Sequence, residues 1–259
     1  MALLKIDRFL QTLNHELNVI PTPPPPLEKL NQVQLVAHRG AWGPQALENT
    51  HAAFKPCLEN QIWGIEFDLR WTHDDEPVVS HDTSLRRVFN QDLEITKITR
   101  LNLEQLQPLV PSLEEMVSFY GRKNQFFIEL KAPPTPTQAQ RLLELLKPLT
   151  PTQDFHLMSF DLDCFALLKK HLPMNSFVAI GRTQLTPLIQ RIKGQGFGGM
   201  TGHFLMMTQA LRQACRDQGL NIGTGFPDKH HLFYREAAKP VDWIFTNRAL
   251  ELKHLMQMK

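Results

Sequence analysis

Apolar and polar positions along this chain alternate between two spacings. From residue 33 onward, short apolar runs typical of buried strands are separated by stretches with the three- and four-residue spacing of an amphipathic helix. The strand-like runs, in chain order, are VQLVAH, GIEFDL, FFIEL, FHLMSF, SFVAI, GGMTG, LNIGTG and DWIFTN. The helical patterns are ENTHAAFKPCLEN, SLEEMVSFYG, PTQAQRLLELLK, DLDCFALLKKHL, LTPLIQRIKGQ, TQALRQACRDQG and KHHLFYREAAK. This alternation predicts parallel strands joined by helical crossovers.

The number of units favours a closed α/β barrel. Eight strand–helix units in roughly 220 residues fit a (β/α)8 TIM barrel, whose typical length is about 250 residues. A doubly wound open sheet is the alternative, but no Gly-x-Gly-x-x-Gly sequence follows the first strand. The stretch PVVSHDTSLRRVFNQDLEITKITRLNLEQLQPLVP is too long for a simple loop. It predicts an insertion after strand 2, above the carboxyl ends of the strands, where it would shape the substrate entrance.

Residues 1–32 are expected to precede the barrel domain, which spans residues 33–259. Apolar residues on one face predict an extra N-terminal helix: Leu3, Ile6, Leu10, Leu13 and Leu17. The following PTPPPP is a stiff, extended spacer. Charged residues interrupt any signal-peptide core, and no run approaches the ~20 apolar residues of a spanning helix. We therefore expect no stable membrane insertion, with a membrane-surface helix as the alternative to a packed one.

Composition and charge narrow the class of protein. A hydrophobic fraction of 42% and a charged fraction of 21% are ordinary for a globular domain. The net charge of +2 is too small to indicate a nucleic-acid partner. Cys57, Cys164 and Cys215 are scattered without a Cys-x-x-Cys pair, which argues against a disulfide framework or a thiolate zinc site. We therefore expect a cytoplasmic protein, and the oligomeric state stays open.

Three acidic residues fall near the ends of the second and third predicted strands. Glu66 and Asp68 are two positions apart, so their side chains share one face of the strand. Glu129 lies in FFIELK, and in a barrel all three would meet at the rim where active sites are built. Three carboxylates without thiolates suit Mg²⁺ or Ca²⁺, whereas without a cation they would repel one another. The alternative is an ion-pair network with Arg39 and Lys131.

Histidines and basic residues accompany these acids. His38 ends the first strand, and His81 follows the second in the SHD sequence. An imidazole titrates near neutrality, so each histidine is a candidate proton carrier. Arg39 and Lys131 supply positive charge for an anionic substrate, because arginine can grip a phosphate with two hydrogen bonds. Asp82, directly after His81, is expected to orient the loop.

Several short motifs occur in an order that resembles one known family. They are HRG followed by ENT, GIEFDLRWTHDDEPVVSHD, PSLEEM, FFIELK, MSFD and VDWIFTN. Over residues 33 to 250 they resemble the motifs of the glycerophosphodiester phosphodiesterase family, and the stretch from Glu66 to Asp82 is the most specific. The family fold is a (β/α)8 barrel, in agreement with the periodicity.

The resemblance implies roles for residues already singled out. His38 and His81 correspond to the family's catalytic histidine pair. Arg39 and Lys131 correspond to its phosphate-contacting residues. Glu48, the acid of the ENT motif, is expected to support the site without binding metal. The glycine after Arg39 would let the backbone turn away sharply.

The resemblance also implies a metal and marks two departures. Glu66, Asp68 and Glu129 correspond to the ligands of a divalent cation, usually Mg²⁺ or Ca²⁺. Where the family commonly has a Trp-Thr-Val-Asn-like segment, this chain reads IGTGFPD, and Phe226 is the candidate replacement for the ring. The usual Asp-Gly after the second strand is Asp-Asp here.

The implied function is metal-dependent hydrolysis of glycerophosphodiesters, which are small-molecule substrates, to glycerol 3-phosphate and an alcohol. Two alternatives stay open. One is a related phosphodiesterase that acts on lysophospholipids, phosphoinositides or sphingolipid headgroups, with FLMM at residues 204–207 as a possible apolar trough, although core packing is favoured there. The other is a noncatalytic barrel that binds phosphodiesters or a protein partner.

Overall fold

Eight parallel strands close into a barrel in this protein, whose computed structural model describes residues 22–257. With the additional short strand β3, the nine strands in residues 22–257 are β1 Gln34–His38, β2 Gly64–Trp71, β3 Pro77–Val79, β4 Gln125–Leu130, β5 Phe155–Ser159, β6 Phe177–Gly181, β7 Gly199–His203, β8 Asn221–Gly225 and β9 Trp243–Thr246. Around the barrel their order is β1, β9, β8, β7, β6, β5, β4 and β2, and β2 pairs with β1 to close it. Strand β3 runs antiparallel to the end of β2. The predicted barrel is confirmed, and each predicted strand run overlaps one of the parallel strands.

Ten α-helices accompany the strands in residues 22–257. They are α1 Leu27–Gln32, α2 His51–Glu59, α3 Arg86–Phe89, α4 Arg100–Leu106, α5 Leu113–Tyr120, α6 Pro136–Leu146, α7 Leu185–Ile192, α8 Gln209–Arg216, α9 His230–Ala237 and α10 Ala249–Gln257. Local sequence explains where several begin. Before α6, the Thr135 hydroxyl accepts from the Gln138 backbone N–H, while the Gln138 side chain accepts from the Thr135 N–H. This reciprocal cap satisfies two donors that the first turn leaves free.

One predicted helix is wrong in detail. The pattern DLDCFALLKKHL forms two short 3₁₀ segments, Leu162–Phe165 and Leu168–Lys170, instead of a continuous α-helix. The Asp161 carboxylate accepts a hydrogen bond from the Asp163 N–H, only two residues further on. Such a local bond offers the backbone a tight turn in competition with the α-helical pattern.

Aromatic residues fill the interior of the barrel below its carboxyl-terminal end. The ring of Phe127 lies 4.9 Å from that of Trp243 and 5.0 Å from that of Phe245, measured between centroids. His156 stacks on Phe127 at 5.3 Å and is almost completely buried. The polar strand ends therefore lie above a layer of buried aromatic side chains. Charges at these strand ends are screened less than charges in water would be.

The segment between β2 and α5 folds as a small unit beside the barrel. It contains β3, α3, the 3₁₀ segment Ile95–Lys97 and α4. Its apolar residues form their own buried cluster: Val78, Leu85, Ile95, Leu103 and Val110. This packing fixes the stretch that carries His81 against the end of β2.

The predicted N-terminal helix lies outside the described residues, and the domain division at residue 32 stays a prediction. Residues 22–26 adopt no regular secondary structure, and α1 follows directly. Leu30 of α1 is fully buried in a cluster with Phe233 and Ile244. Within the described range, every helix is too short or too polar to cross a lipid bilayer.

Candidate active site

A cavity of about 550 Å³ opens at the carboxyl ends of the barrel strands. Seven sequence-predicted site residues line it: His38, Arg39, Glu48, Glu66, His81, Glu129 and Lys131. The eighth, Asp68, is fully buried and lies behind the cavity wall. The structure thus brings together residues that are up to 93 positions apart in the sequence, His38 and Lys131.

Strand register explains how the acids meet. Strand β1 pairs with β2 so that His38 lies beside Glu66, and β2 pairs with β4 so that Asp68 lies beside Glu129. Glu66 and Asp68 face the same side because side chains alternate along a strand. One ligand oxygen from each of the three carboxylates lies within 4.8 Å of the other two. The three residues are 2%, 0% and 7% exposed, so water does little to separate their charges.

The chemistry of this trio fits a divalent cation. Carboxylate oxygens are the ligands that Mg²⁺ and Ca²⁺ prefer. Burial raises the pKa of Glu66 well above its usual value, and the charges of Asp68 and Glu129 raise it further. The pKa of Glu129 is also raised, chiefly by burial. A cation held here would favour the ionised forms that the protein alone disfavours.

Asp68 differs from its two neighbours because cations surround it. The Lys131 Nζ lies 2.6 Å from Asp68 Oδ1 and 2.5 Å from Glu129 Oε1. The Arg39 Nε lies 3.3 Å from Asp68 Oδ2, and the Asn49 amide donates to the same oxygen at 2.8 Å. Although burial alone would raise it, Lys131 and Arg39 hold the pKa of Asp68 below its usual range. Asp68 is therefore ionised at neutral pH.

His38 is held by a side chain that follows β9, the strand that pairs with β1. Its Nδ1 lies 2.9 Å from Asn247 Oδ1, and the Asn247 amide donates to Asp228 Oδ2 at 2.8 Å. Because Asp228 requires the amide nitrogen, the Asn247 oxygen faces His38 and Nδ1 carries the proton. Nε2 then carries a lone pair and lies 3.8 Å from Glu66 Oε2. Burial, followed by the charge of Arg39, lowers the pKa of His38 to about 3, so the ring is neutral.

His81 has a carboxylate partner instead. Its Nδ1 lies 2.7 Å from Asp82 Oδ1, and Arg70 donates two hydrogen bonds to the His81 carbonyl at 3.0 and 2.8 Å. Burial lowers the pKa of His81, whereas Asp68 and the hydrogen bond to Asp82 act in the opposite direction. The predicted orienting part of Asp82 is consistent with this contact.

The backbone after β1 turns away from the barrel in a conformation that glycine favours. Arg39 has a φ of 58° and Gly40 a φ of 82°. A Cβ on Gly40 would lie 2.9 Å from the Ala53 backbone, so a side chain does not fit. This turn lets the Arg39 N–H donate to Glu66 Oε2 at 3.0 Å while its guanidinium reaches Glu48 Oε1 at 2.9 Å.

Sequence reasoning missed several supporting residues. Arg87, in the insertion, donates to Asp82 Oδ2 at 2.6 Å and to Glu48 Oε1 at 2.6 Å, and thereby links the two sides of the cavity. Asn247 follows the last strand, so the strand-end rule applied to the other residues could have found it. No periodicity or spacing marks Arg87 or Asp228, because their partners are distant in sequence.

The strand ends of this closed barrel carry a buried acidic trio, two histidines and two basic side chains. They define a class of protein, a TIM barrel whose carboxyl-terminal end carries groups suited to a divalent cation and an anion. The model of the glycerophosphoryl diester phosphodiesterase family matches residues 38–251, and the chain belongs to that family.

Individual relatives agree with this assignment. The chain is similar to a glycerophosphodiester phosphodiesterase of Bacillus subtilis, 29% identical over 136 residues that make up 45% of this chain and 46% of the relative. The match thus spans less than half the length of that relative. A glycerophosphodiester phosphodiesterase of Caldanaerobacter subterraneus is 24% identical over 243 residues, 86% of this chain and 97% of the relative.

Solved structures share the fold. The glycerophosphodiester phosphodiesterase of Thermotoga maritima aligns with a TM-score of 0.74 at 23% identity, over 86% of this chain and 98% of that chain. An Oleispira antarctica phosphodiesterase, solved in complex with the product sn-glycerol-3-phosphate, aligns with a TM-score of 0.75 at 20% identity, over 86% of this chain and 96% of that chain.

Proposed function

We propose that this protein is a metal-dependent phosphodiesterase that hydrolyses glycerophosphodiesters to glycerol 3-phosphate and an alcohol. The observation that carries the proposal is the meeting of two imidazoles with a buried acidic trio in one cavity. Mere binding of a phosphodiester would need the cations but not two proton carriers. Family membership and the glycerol 3-phosphate bound to the Oleispira antarctica phosphodiesterase support the same substrate class.

The metal site is assigned to Glu66, Asp68 and Glu129, with Mg²⁺ or Ca²⁺ as the ion. When bound, the cation would draw charge from a nonbridging phosphate oxygen and from the nucleophile. Arg39 and Lys131 lie beside the acids and are assigned to the phosphate. Their ion pairs with Asp68 hold both side chains in place before the substrate arrives.

The two histidines are assigned different halves of the proton transfer. His38 is neutral, with its proton on Nδ1 and a lone pair on Nε2, so it is suited to accept a proton from water or a substrate hydroxyl. His81 has a carboxylate against Nδ1, which favours the protonated ring although burial lowers its pKa, so His81 is assigned to protonate the departing alkoxide. Arg87 holds Asp82, the partner of His81, and Glu48 holds Arg87 and Arg39.

A coupled assay for released glycerol 3-phosphate tests the proposal. Purified full-length protein is assayed on glycerophosphodiesters with Mg²⁺ or Ca²⁺, and again with a chelator. Activity should require the cation, and His38→Ala or His81→Ala should each lower kcat by about 10²–10⁴-fold. His171→Ala, at an exposed histidine outside the cavity, is the control. Folded wild-type protein that releases no glycerol 3-phosphate with either cation would overturn the proposal.

A lysophospholipid substrate is the second candidate, because apolar side chains stand at the cavity rim. Trp42 is 37% exposed, Phe160 is 40% exposed, and both line the cavity. The trough suggested at residues 204–207 does not support this candidate, since Phe204 and Met207 are each only 2% exposed and pack in the interior. Faster turnover of micellar lysophospholipids than of deacylated diesters would favour this alternative.

Two further expectations stay predictions. A cytoplasmic location rests on the scattered cysteines, all three of which are free and buried in the described part of the chain. The absence of a nucleic-acid partner rests on the small net charge.

In the departure IGTGFPD, the Phe226 ring lies 4.7 Å from the His38 ring, edge to face, which is consistent with its replacing an aromatic wall of the site.

A further inference from the structure

The cavity extends well beyond the part that is assigned to the phosphate. The acids, Arg39 and Lys131 belong to β1, β2 and β4, whereas the far wall is built from the ends of β5 to β8. Strand β6 lies opposite β1 in the barrel order. Residues on this wall would contact a substituent of the phosphodiester instead of the phosphate itself.

A positively charged side chain, that of Arg182, lies on this far wall. Arg182 directly follows β6, is exposed and lines the cavity. Its guanidinium carbon lies 4.4 Å from the centroid of the Phe160 ring, which follows β5 and also lines the cavity. No carboxylate in residues 22–257 forms an ion pair with Arg182. The ring positions the guanidinium while leaving its donors available.

The acidic residue of the cavity lining that follows β8 is already engaged. Asp228 lines the cavity, but it accepts from the Thr246 hydroxyl at 2.7 Å, from the Asn247 N–H at 3.0 Å and from the Asn247 amide at 2.8 Å. One face of Phe160, which could otherwise attract a quaternary ammonium, is covered by Arg182. The far wall therefore favours an anion and disfavours a cation.

We propose that Arg182, held on Phe160, forms a headgroup subsite that selects phosphodiesters whose alcohol carries a second anionic group, such as a phosphate or carboxylate, over those with a cationic headgroup. The inference rests on the proposed function and adds the substrate class. A guanidinium can donate two parallel hydrogen bonds to such a group, which gives geometric as well as electrostatic selection.

Three probes that share the glycerophosphate part test the subsite: glycerophosphoinositol 4-phosphate, glycerophosphoinositol and glycerophosphocholine. The full chain is assayed with its divalent cation. We expect kcat/KM for the phosphorylated inositol compound to exceed that for the choline compound by about tenfold or more, the usual effect of one charged hydrogen bond. Arg182→Gln should abolish most of this preference, and Arg182→Glu should reverse it.

Arg191→Gln is the matched control, because it removes the same charge from helix α7 outside the cavity, where Arg191 is 3.8 Å from Asp163. It should leave the preference unchanged. Equal preference in the wild type and Arg182→Gln would overturn the subsite.

Binding separates a failed subsite from a failed enzyme. Calorimetry with a His38→Ala/His81→Ala variant measures the affinity for the three probes without turnover. Binding that discriminates through Arg182, in a wild-type protein that hydrolyses none of the probes, would overturn the proposed function while supporting the subsite. Hydrolysis with equal affinities in the presence and absence of Arg182 would overturn the subsite alone.

Discussion

His38 and Asn247 are 209 positions apart in the sequence, yet the His38 Nδ1 lies 2.9 Å from the Asn247 side-chain oxygen. The contact crosses the seam at which β1 pairs with β9, so barrel closure itself assembles this part of the site. Asp228 fixes the amide of Asn247, and the amide fixes the tautomer of His38. A chain of two hydrogen bonds thus decides which nitrogen of His38 carries the proton.

Asn247→Ala should lower kcat by about 10–100-fold, because partners of this kind typically contribute that much by orienting the group they contact. Asn247→Asp should instead raise the pKa of His38, since a carboxylate favours the protonated ring. The acidic limb of the pH–rate profile would then move to higher pH. Because the pKa of His38 is about 3 in the wild type, steady-state kinetics between pH 3 and 9 check both variants, and an unchanged acidic limb in Asn247→Asp would argue against His38 as the base.

Glu66→Gln should weaken binding of Mg²⁺ or Ca²⁺ by about tenfold or more, because it removes a charged ligand oxygen from the buried trio. Calorimetric titration of the protein with each metal measures this directly, without substrate. Glu104→Gln, at an exposed acid on α4, should bind metal as the wild type does. Wild-type metal affinity in Glu66→Gln would remove Glu66 from the ligand set.

Arg87→Gln should lower kcat by about tenfold and leave metal affinity intact, because Arg87 orients Asp82 and Glu48 but touches none of the acidic trio. The neighbouring Arg86 pairs with Asp92 at the surface, so Arg86→Gln is a matched control. The kinetic constants and the metal titration are measured side by side. A loss of metal affinity with an unchanged kcat would contradict the orienting role that we assign to Arg87.

Arg212 and Glu236 form a buried ion pair, with Nη2 and Oε2 separated by 2.5 Å and the side chains 1% and 0% exposed. Arg212→Met should destabilise the protein by roughly 3 kcal/mol, because the buried Glu236 carboxylate then keeps only Lys239, whose Nζ lies 2.5 Å from its Oε1. Replacing both residues, Arg212→Met with Glu236→Leu, should recover much of this loss. Urea unfolding provides the free energies, and a double variant as unstable as the single one would contradict the argument.

His156 should make the fold less stable in mild acid. Burial lowers its pKa from 6.5 to about 4, so below pH 6.5 the unfolded chain gains a proton that the folded protein does not take up. Stability is therefore full above pH 6.5 and falls as the pH is lowered towards 4, by about 2 kcal/mol at pH 5. His156→Gln should lack this component of the pH dependence, as seen in unfolding free energies at pH 7.5 and 5.0.

The sequence predicted the barrel because local pattern and global fold agree. Strands such as FFIEL and DWIFTN are buried on both faces, so their apolar runs are continuous and separate clearly from the amphipathic stretches between them. The stretch DLDCFALLKKHL does not form the predicted helix, because the Asp161 side chain stabilises a turn that the spacing of the apolar residues does not indicate.

The sequence by itself determined which residue types stand at the strand ends, including the alternation that places Glu66 and Asp68 on one face. Only the tertiary structure decided that Asn247 contacts His38, that Arg87 reaches across from the insertion to Glu48, and that Arg182 lies on the far wall. The physical reason is that a period of two or 3.6 residues fixes the direction of a side chain relative to its own element. Contacts between distant elements depend on strand register and barrel closure, which no local pattern encodes.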